Sequence, residues 1–497
     1  MKRVLVCAAL LPCAVLLPRA ALAEAPTSRF NAGGYYRIMT RPDFQGGGSK
    51  LGFSDLNGRL LNEGPYGMLQ LQLNVLQGDA ERHDPTAAVN ARIEGGSFNN
   101  ADVGLGFLNN FRISGLYVNA GNILLDKVTW QLGTLDYYPG DLGLYDARIV
   151  DLFYDTVGLS GFYHGDGFEL LAGVGDSGYS VRGSNYDTLY TGGLWMKVRP
   201  IANFEIGVGA QAALEPQLAG NRSAPNATPG ISYEDYVRGE VAKNFFLHNP
   251  REDRLPSPEG RSSSSWRLFG YLGFGNLGPL RWSSLYARFS KLHPDNFKTE
   301  SYNGKDYTLY LHDLTDRRYA LQVGNEMQIT IIPDLLDAAF GVLLGRDLNR
   351  ANTVAAGEDN RWYASTVLRL QAYATATVHF LVETSIAQEK SLNGNLWREH
   401  VDSIFQSTDG TADSRGLQFG DTDTRSTWQG KAGVVFNPAG RGIYNRPSLR
   451  LLYGLQYSNM QAAFGNSFSN SLAQDEQFPS VERHWHSVVA LEAEGWF

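Results

Sequence analysis

Trp485-His486-Ser487-Val488-Val489-Ala490-Leu491-Glu492-Ala493-Glu494-Gly495-Trp496-Phe497 closes the sequence, and its alternation decides the fold. The odd positions read Trp, Ser, Val, Leu, Ala, Gly, Phe, an apolar row with an aromatic at each end. The even positions, starting one residue earlier at His484, read His, His, Val, Ala, Glu, Glu, Trp. Side chains of a strand alternate between its two faces, so only one row can meet lipid, and it is the row of Phe497. From Trp485 to Phe497 the strand covers about 40 Å at ~3.3 Å per residue, which a tilt of ~40° reduces to about 30 Å along the membrane normal. That is the thickness of a hydrocarbon layer with an aromatic at each interface. A terminal phenylalanine on such a strand also resembles the signal read by the outer-membrane assembly machinery.

The same pattern recurs upstream. In Gly67 to Val75 the odd positions are apolar, while Met68, Gln70, Gln72 and Asn74 fill the even ones. Phe204, Ile206, Val208 and Ala210 alternate with Glu205, Gly207, Gly209 and Gln211, and Met327, Ile329 and Ile331 alternate with Glu326, Gln328 and Thr330. Leu449, Leu451, Tyr453, Leu455 and Tyr457 alternate with Ser448, Arg450, Leu452, Gly454 and Gln456. A soluble sandwich alternates too, but its outer face seldom keeps so uniform a width. Beyond the N-terminal region no run approaches 18 apolar residues, which excludes helical spans and leaves a barrel as the membrane structure. The 55 glycines suit turns, and the 25 tyrosines and 25 phenylalanines suit interfacial girdles and a lumen lining.

The start of the chain has the three parts of a secretory signal: Lys2 and Arg3, an apolar run from Val4 to Leu17, then Ala21-Leu22-Ala23. Residues 1–23 therefore read as a signal peptide and 24–497 as one barrel domain. The apolar run is shorter than a spanning helix needs, and Pro12 and Pro18 interrupt it. Both cysteines, Cys7 and Cys13, fall inside the signal, so no disulfide is expected in the exported chain. Cleavage also removes Lys2, Arg3 and Arg19 from a chain whose net charge is already −8. That balance argues against nucleic acid as a partner, and against a pore that attracts anions by bulk positive charge.

Connections come in two sizes. Arg199-Pro200-Ile201-Ala202-Asn203, Ile332-Pro333-Asp334 and Phe436-Asn437-Pro438-Ala439-Gly440 suit tight periplasmic turns. The polar stretches Glu215 to Asp235, His248 to Ser265, Leu292 to Asp316, Glu389 to Arg425 and Asn459 to Glu482 suit long extracellular loops. The run Ser262 to Ser265 then reads as a loop tip. The fold class is all-β, a transmembrane antiparallel β-barrel of roughly 16 to 20 strands by segment count, even in number and wide enough for an aqueous channel.

Several motifs carry no chemistry in this setting. Gly173 to Gly178 and Gly273 to Gly278 both fit GxGxxG, yet neither opens a helix in a βαβ unit, so both read as glycine-rich hairpin segments. His484 and His486 lack an evident third ligand and read as lumen histidines, and no serine and histidine pair stands in a hydrolase context. Asn221 and Asn226 begin glycosylation-like triplets that a bacterial export route does not use. No enzyme activity, metal or cofactor is expected, and Glu24 to Arg29 leaves no room for a plug domain before the first strand.

Three segments resemble the maltoporin family of sugar-specific porins: Gly34-Tyr35-Tyr36-Arg37; Tyr137 to Ser160 with Asp151-Leu152-Phe153-Tyr154; and Gly442-Ile443-Tyr444-Asn445-Arg446-Pro447-Ser448-Leu449-Arg450 with the strand that ends on Trp496. These short anchors cover about a third of the chain. The resemblance implies 18 strands, a homotrimer, and a lumen in which a line of aromatics, the greasy slide, runs beside an ionic track. It places Tyr35, Tyr66, Tyr444 and Trp496 on the slide, Arg37 on the track, and Asp151 and Phe153 at the constriction. Ser114 and Leu135 stand where the family carries basic residues, and Phe153 where it commonly has tyrosine.

Parity bears on these assignments independently. Trp496 shares a face with Glu492 and Glu494, Tyr66 with Gln70 and Gln72, Tyr35 with Arg37, and Tyr444 is in phase with Arg446 and Arg450. All four aromatics are therefore expected to point inward, where an aromatic near a strand end would by default be a girdle residue. A pyranose presents a C–H face that lies on a ring and a rim of hydroxyls that needs donors and acceptors, so rings beside Glu492, Glu494 and Arg37 suit sugars. The expected function is passive, facilitated diffusion of carbohydrate solutes, maltodextrin-like, across the outer membrane of a Gram-negative bacterium. A general or other-solute porin, acid sugars included, is the alternative.

Overall fold

A computed structural model describes residues 28–41, 54–78, 84–96, 111–145, 147–148, 150–153, 156–178, 188–216, 262–293, 297–302, 305–310, 316–349, 361–391, 424–459 and 484–497. The signal sequence and most of the long polar stretches lie outside these residues. Eighteen antiparallel strands form one closed sheet. In chain order the strands are β1 (Phe30–Thr40), β2 (Tyr66–Leu76), β3 (Thr86–Gly96), β4 (Arg112–Gly121), β5 (Val128–Leu135), β6 (Asp141–Leu142), β7 (Ala147–Arg148), β8 (Thr156–His164), β9 (Phe168–Asp176), β10 (Tyr190–Ile201) and β11 (Phe204–Glu215). There follow β12 (Ser263–Leu277), β13 (Leu280–Lys291), β14 (Phe297–Tyr302), β15 (Lys305–Tyr310), β16 (Arg318–Ile332), β17 (Leu336–Asn349), β18 (Arg361–Tyr373), β19 (Val378–Ser391), β20 (Thr424–Phe436), β21 (Ser448–Ser458) and β22 (Trp485–Trp496). The pairs β6–β7 and β14–β15 are hairpins outside the barrel wall.

Each wall strand pairs with its neighbours in sequence, and β1 closes on β22 with Tyr35 opposite Trp496 and Arg37 opposite Glu494. Closure removes the free edges that would otherwise leave backbone groups unpaired in lipid. Burial alternates as the sequence requires. In β22 the even positions from His486 to Glu494 are buried, while Trp485, Val489, Leu491 and Phe497 lie exposed on the outer face. Trp428, Tyr457 and Trp485 meet outside, with Tyr457 and Trp428 at 5.0 and 6.3 Å from Trp485, as part of an aromatic girdle.

The tight turn between β12 and β13 sets Asn276 (φ 53°) and Gly278 (φ 60°) in the left-handed region, which these two residue types tolerate. Of the GxGxxG segments, Gly173 to Asp176 lie on β9 with Ser177 and Gly178 just beyond it, and Gly273 to Gly278 run along the end of β12 into this turn. The serine run is not a loop tip: Ser263 to Ser265 begin β12, paired with Glu215, Leu214 and Ala213 of β11. Its polar composition suits wall beyond the hydrocarbon layer, and Ser263 Oγ donates to Glu215 Oε2 at 3.0 Å.

The lumen is not an open cylinder. Residues 54–65, with a one-turn helix α1 (Ser54–Asn57), fold in against β18, β19 and β20. Residues 136–153, which follow β5, pack Leu142, Leu144, Tyr145, Leu152 and Phe153 onto inward residues of the β9–β18 wall, among them Trp195, Phe269 and Tyr286. The turn 437–447 also folds inward and adds Ile443 to that core. The wall makes room by omitting side chains. A Cβ at Gly193 would lie 2.7 Å from Leu152 Cγ, one at Gly324 2.4 Å from Leu142 Cδ1, and one at Gly341 2.8 Å from Tyr145 Cε2.

Candidate functional site

Register builds an aromatic platform at the seam where the barrel closes. Tyr35 lies opposite Trp496 across β1 and β22, and Arg37 lies opposite Tyr66 across β1 and β2. Inward parity turns three rings to the same side, with Tyr35 centred 4.4 Å from Trp496 and 5.9 Å from Tyr66. Tyr35 and Tyr66 are buried, whereas Trp496 keeps 42% of its surface open. The two tyrosines are fixed by their hydroxyls: Tyr35 Oη donates to Glu494 Oε1 at 2.8 Å, and Tyr66 Oη to Glu94 Oε2 at 2.9 Å.

Behind the rings lies a charged network. Glu494 receives Arg59 Nη2 at 2.8 Å, Arg446 Nε at 2.7 Å and a shorter contact from Arg450, whose other side reaches Glu492 at 3.6 Å. Arg37 pairs with Glu63 and donates from Nε to the Gly64 carbonyl at 2.8 Å. Several cations on one buried carboxylate leave little freedom to any partner, so this network is a rigid backing. In the inward turn, burial pulls Arg446 down to about 10, with Glu494 opposing, and it remains cationic at neutral pH.

The remaining expected residues go elsewhere. Phe153 does not face the lumen: it is 1% exposed and its ring packs where Gly173 and Gly193 lack side chains, anchoring residues 136–153 to β9 and β10. Asp151 stays partly open. It accepts from Tyr138 Oη at 3.2 Å and from the Phe153 amide at 3.1 Å, and burial, with Asp136 adding, pushes it up to about 6. Tyr444 points inward but sits in the turn before β21, where strand parity has no meaning, and it does not join the platform. Its hydroxyl donates to Glu326 Oε1 at 2.5 Å and its ring lies 5.8 Å from Trp282.

Sequence reading missed the groups that face this platform. Arg148, exposed at the open end of the β6–β7 hairpin opposite Asp141, stacks on Tyr138 with its guanidinium carbon 4.1 Å from the ring centre, within electrostatic reach of Tyr66. Arg92 pairs with Asp136 and donates from Nε to Ser114 Oγ at 2.9 Å, so Ser114 is a partner of a basic residue where the resemblance called for a basic residue itself. Arg92 was within reach, since it is in phase with Asn90 and Glu94. Arg59 lies in a loop and Arg148 in a strand of only two residues, so neither carries a phase to read. Among the described residues no cluster of three or more His, Cys, Asp or Glu side chains is disposed to hold a metal.

No protein-family model and no curated protein matches the chain. Solved structures similar to it are OprD of Pseudomonas aeruginosa (8% identity, 96% of this chain and 97% of that one, TM-score 0.42), the outer-membrane channel DcaP of Acinetobacter baumannii (10%, 73% and 91%, 0.41) and OmpT of Vibrio cholerae (6%, 96% and 100%, 0.35). The closed sheet of 18 antiparallel strands, with its apolar row turned outward, defines a transmembrane β-barrel of the outer-membrane kind. The resemblance to maltoporins does not hold, because the structures this chain resembles are OprD, OmpT and DcaP channels. Its anchors are short tyrosine and arginine clusters at strand starts and in the inward loop, positions that face girdle or lumen in any barrel, and one of them, Tyr444, lies off the strands.

Proposed function

We propose that the barrel is a passive diffusion channel for small polar solutes that carry a carboxylate, with acidic sugars as the best fit. The observation that carries this reading is Arg148, an exposed guanidinium stacked on Tyr138 that acts electrostatically both on the Asp151 carboxylate and on Tyr66, one ring of the cluster that ends on the exposed Trp496. A guanidinium binds a carboxylate by charge-assisted hydrogen bonds, and an exposed indole accepts the C–H face of a pyranose. Both contacts are single and solvent-facing, so binding stays weak enough to release the solute, as conduction requires. Neutral carbohydrate is the second reading, favoured by Trp496 alone.

Planar-bilayer recordings with glucuronate and glucose as blockers test it. Glucuronate is expected to reduce the single-channel current at roughly tenfold lower concentration than glucose, the scale of one partly screened charge-assisted hydrogen bond. Arg148→Gln should erase that difference, and Trp496→Ala should weaken block by both about two- to tenfold. Equal block by the two solutes in the unaltered channel overturns the carboxylate preference and leaves the neutral-sugar reading.

A further inference from the structure

We propose that Glu326 is a positioning residue that holds three inward-folded segments, from both rims of the barrel, as one constriction. It stands on β16 facing the lumen and is 1% exposed. One oxygen, Oε2, accepts the Leu144 amide at 2.8 Å, and the other, Oε1, accepts the Tyr444 hydroxyl at 2.5 Å. The Leu144 carbonyl in turn accepts the Arg59 amide at 2.7 Å. Residues 54–65, residues 136–153 and the turn 437–447 are thus joined in series through the two backbone groups of Leu144 and one carboxylate. The local packing is built for this contact. A Cβ at Gly143 would lie 3.3 Å from the Tyr444 ring and 3.4 Å from Glu326 Oε1, and one at Gly324, the next inward position on β16, would collide with Leu142.

The series reaches the aromatic platform. Arg59, whose amide holds Leu144, sends Nη2 to Glu494 at 2.8 Å and to Tyr35 Oη at 3.3 Å. A carboxylate that binds a loop from one rim and a turn from the other therefore fixes the distance across the pore and the seat of the rings. A single carboxylate is suited to this because its two oxygens accept from two donors at once. The role rests on the lumen conducting solutes and is independent of which solute passes.

Amide exchange and bilayer recordings on folded, reconstituted barrel test the proposal with Tyr444→Phe, Glu326→Gln and Glu326→Ala. Tyr444→Phe removes one donor, and exchange should rise both in the turn and at Leu144 on the opposite side of the carboxylate, by roughly tenfold for one lost hydrogen bond. Glu326→Gln, which can accept from Leu144 and donate to Tyr444, should keep exchange and conductance near those of the parent. Glu326→Ala should raise conductance and add current flicker. Unchanged Leu144 exchange in Tyr444→Phe overturns the coupling, as does parental conductance and exchange in a folded Glu326→Ala barrel. If Glu326→Ala does not fold, the other two variants still decide. An unaltered barrel that passes no current sinks the channel reading, while the exchange measurement still decides the latch.

Discussion

Asp151, on the inward segment, accepts hydrogen bonds from the Tyr138 hydroxyl and the Phe153 amide. In sequence it is a carboxylate at an expected constriction. In the fold, burial raises it to about 6 from an ordinary 3.8, with Asp136 adding to the shift and the Phe153 amide, the Arg148 charge and the Tyr138 hydroxyl opposing it. It is neutral below that value and charged above it, so the cation-over-anion permeability ratio is expected to rise between pH 5 and 7 in a one-proton step. Reversal potentials in a salt gradient measure this, and Asp151→Asn should remove the step. Because the folded state holds the proton more tightly than the unfolded chain, the group's contribution to stability is present at acid pH and is lost as pH rises through about 6. Tyr35, Tyr66 and Trp496 show the converse. Their direction follows from period 2, so their meeting was legible in the sequence. Arg148, in a strand of two residues, had no period to betray it.

At the scale of elements, the inner loop 136–153 is a second layer laid on a wall that lacks side chains where the loop needs space. Gly192 and Gly193 separate this effect from simple strand damage, because adjacent positions face opposite sides. A Cβ at Gly193 meets Leu152 at 2.7 Å and Phe153 at 2.9 Å, whereas one at Gly192 meets nothing nearer than Val174 Cγ1 at 3.5 Å on the outer face. Gly193→Val is expected to cost about 1–3 kcal/mol of stability by overpacking and to raise conductance as the loop lifts. Gly192→Val should leave both unchanged. Urea unfolding and single-channel recording check the pair, and equal effects would show that the glycines serve the strand and not the loop. Gly173 was visible as a strand residue, but the Phe153 ring it accommodates was not, since Phe153 lies on a separate element.

For the whole molecule, the two rows of the last strand carry two solvents. Leu491 lies six residues from both Trp485 and Phe497 and is exposed on the outer face, which places it near the middle of the hydrocarbon layer. Leu491→Arg is expected to cost about 2–4 kcal/mol, read from unfolding in lipid vesicles. A parental midpoint for that variant would show that the Phe497 row does not face lipid. The adjacent Glu492 and Glu494 are buried among arginines on the inner side.

Membrane barrel, strand phase and the inward set of aromatics followed from the sequence alone, because period 2 ties each side chain to one of two faces and only an apolar row of the right length can meet lipid. Residues outside the strands escaped that rule. The direction of Tyr444, the burial of Phe153, the placement of Arg148 and the convergence of Leu144 and Tyr444 on Glu326 were decided by tertiary structure, since a loop's side chains are aimed by whatever wall the loop finally packs against.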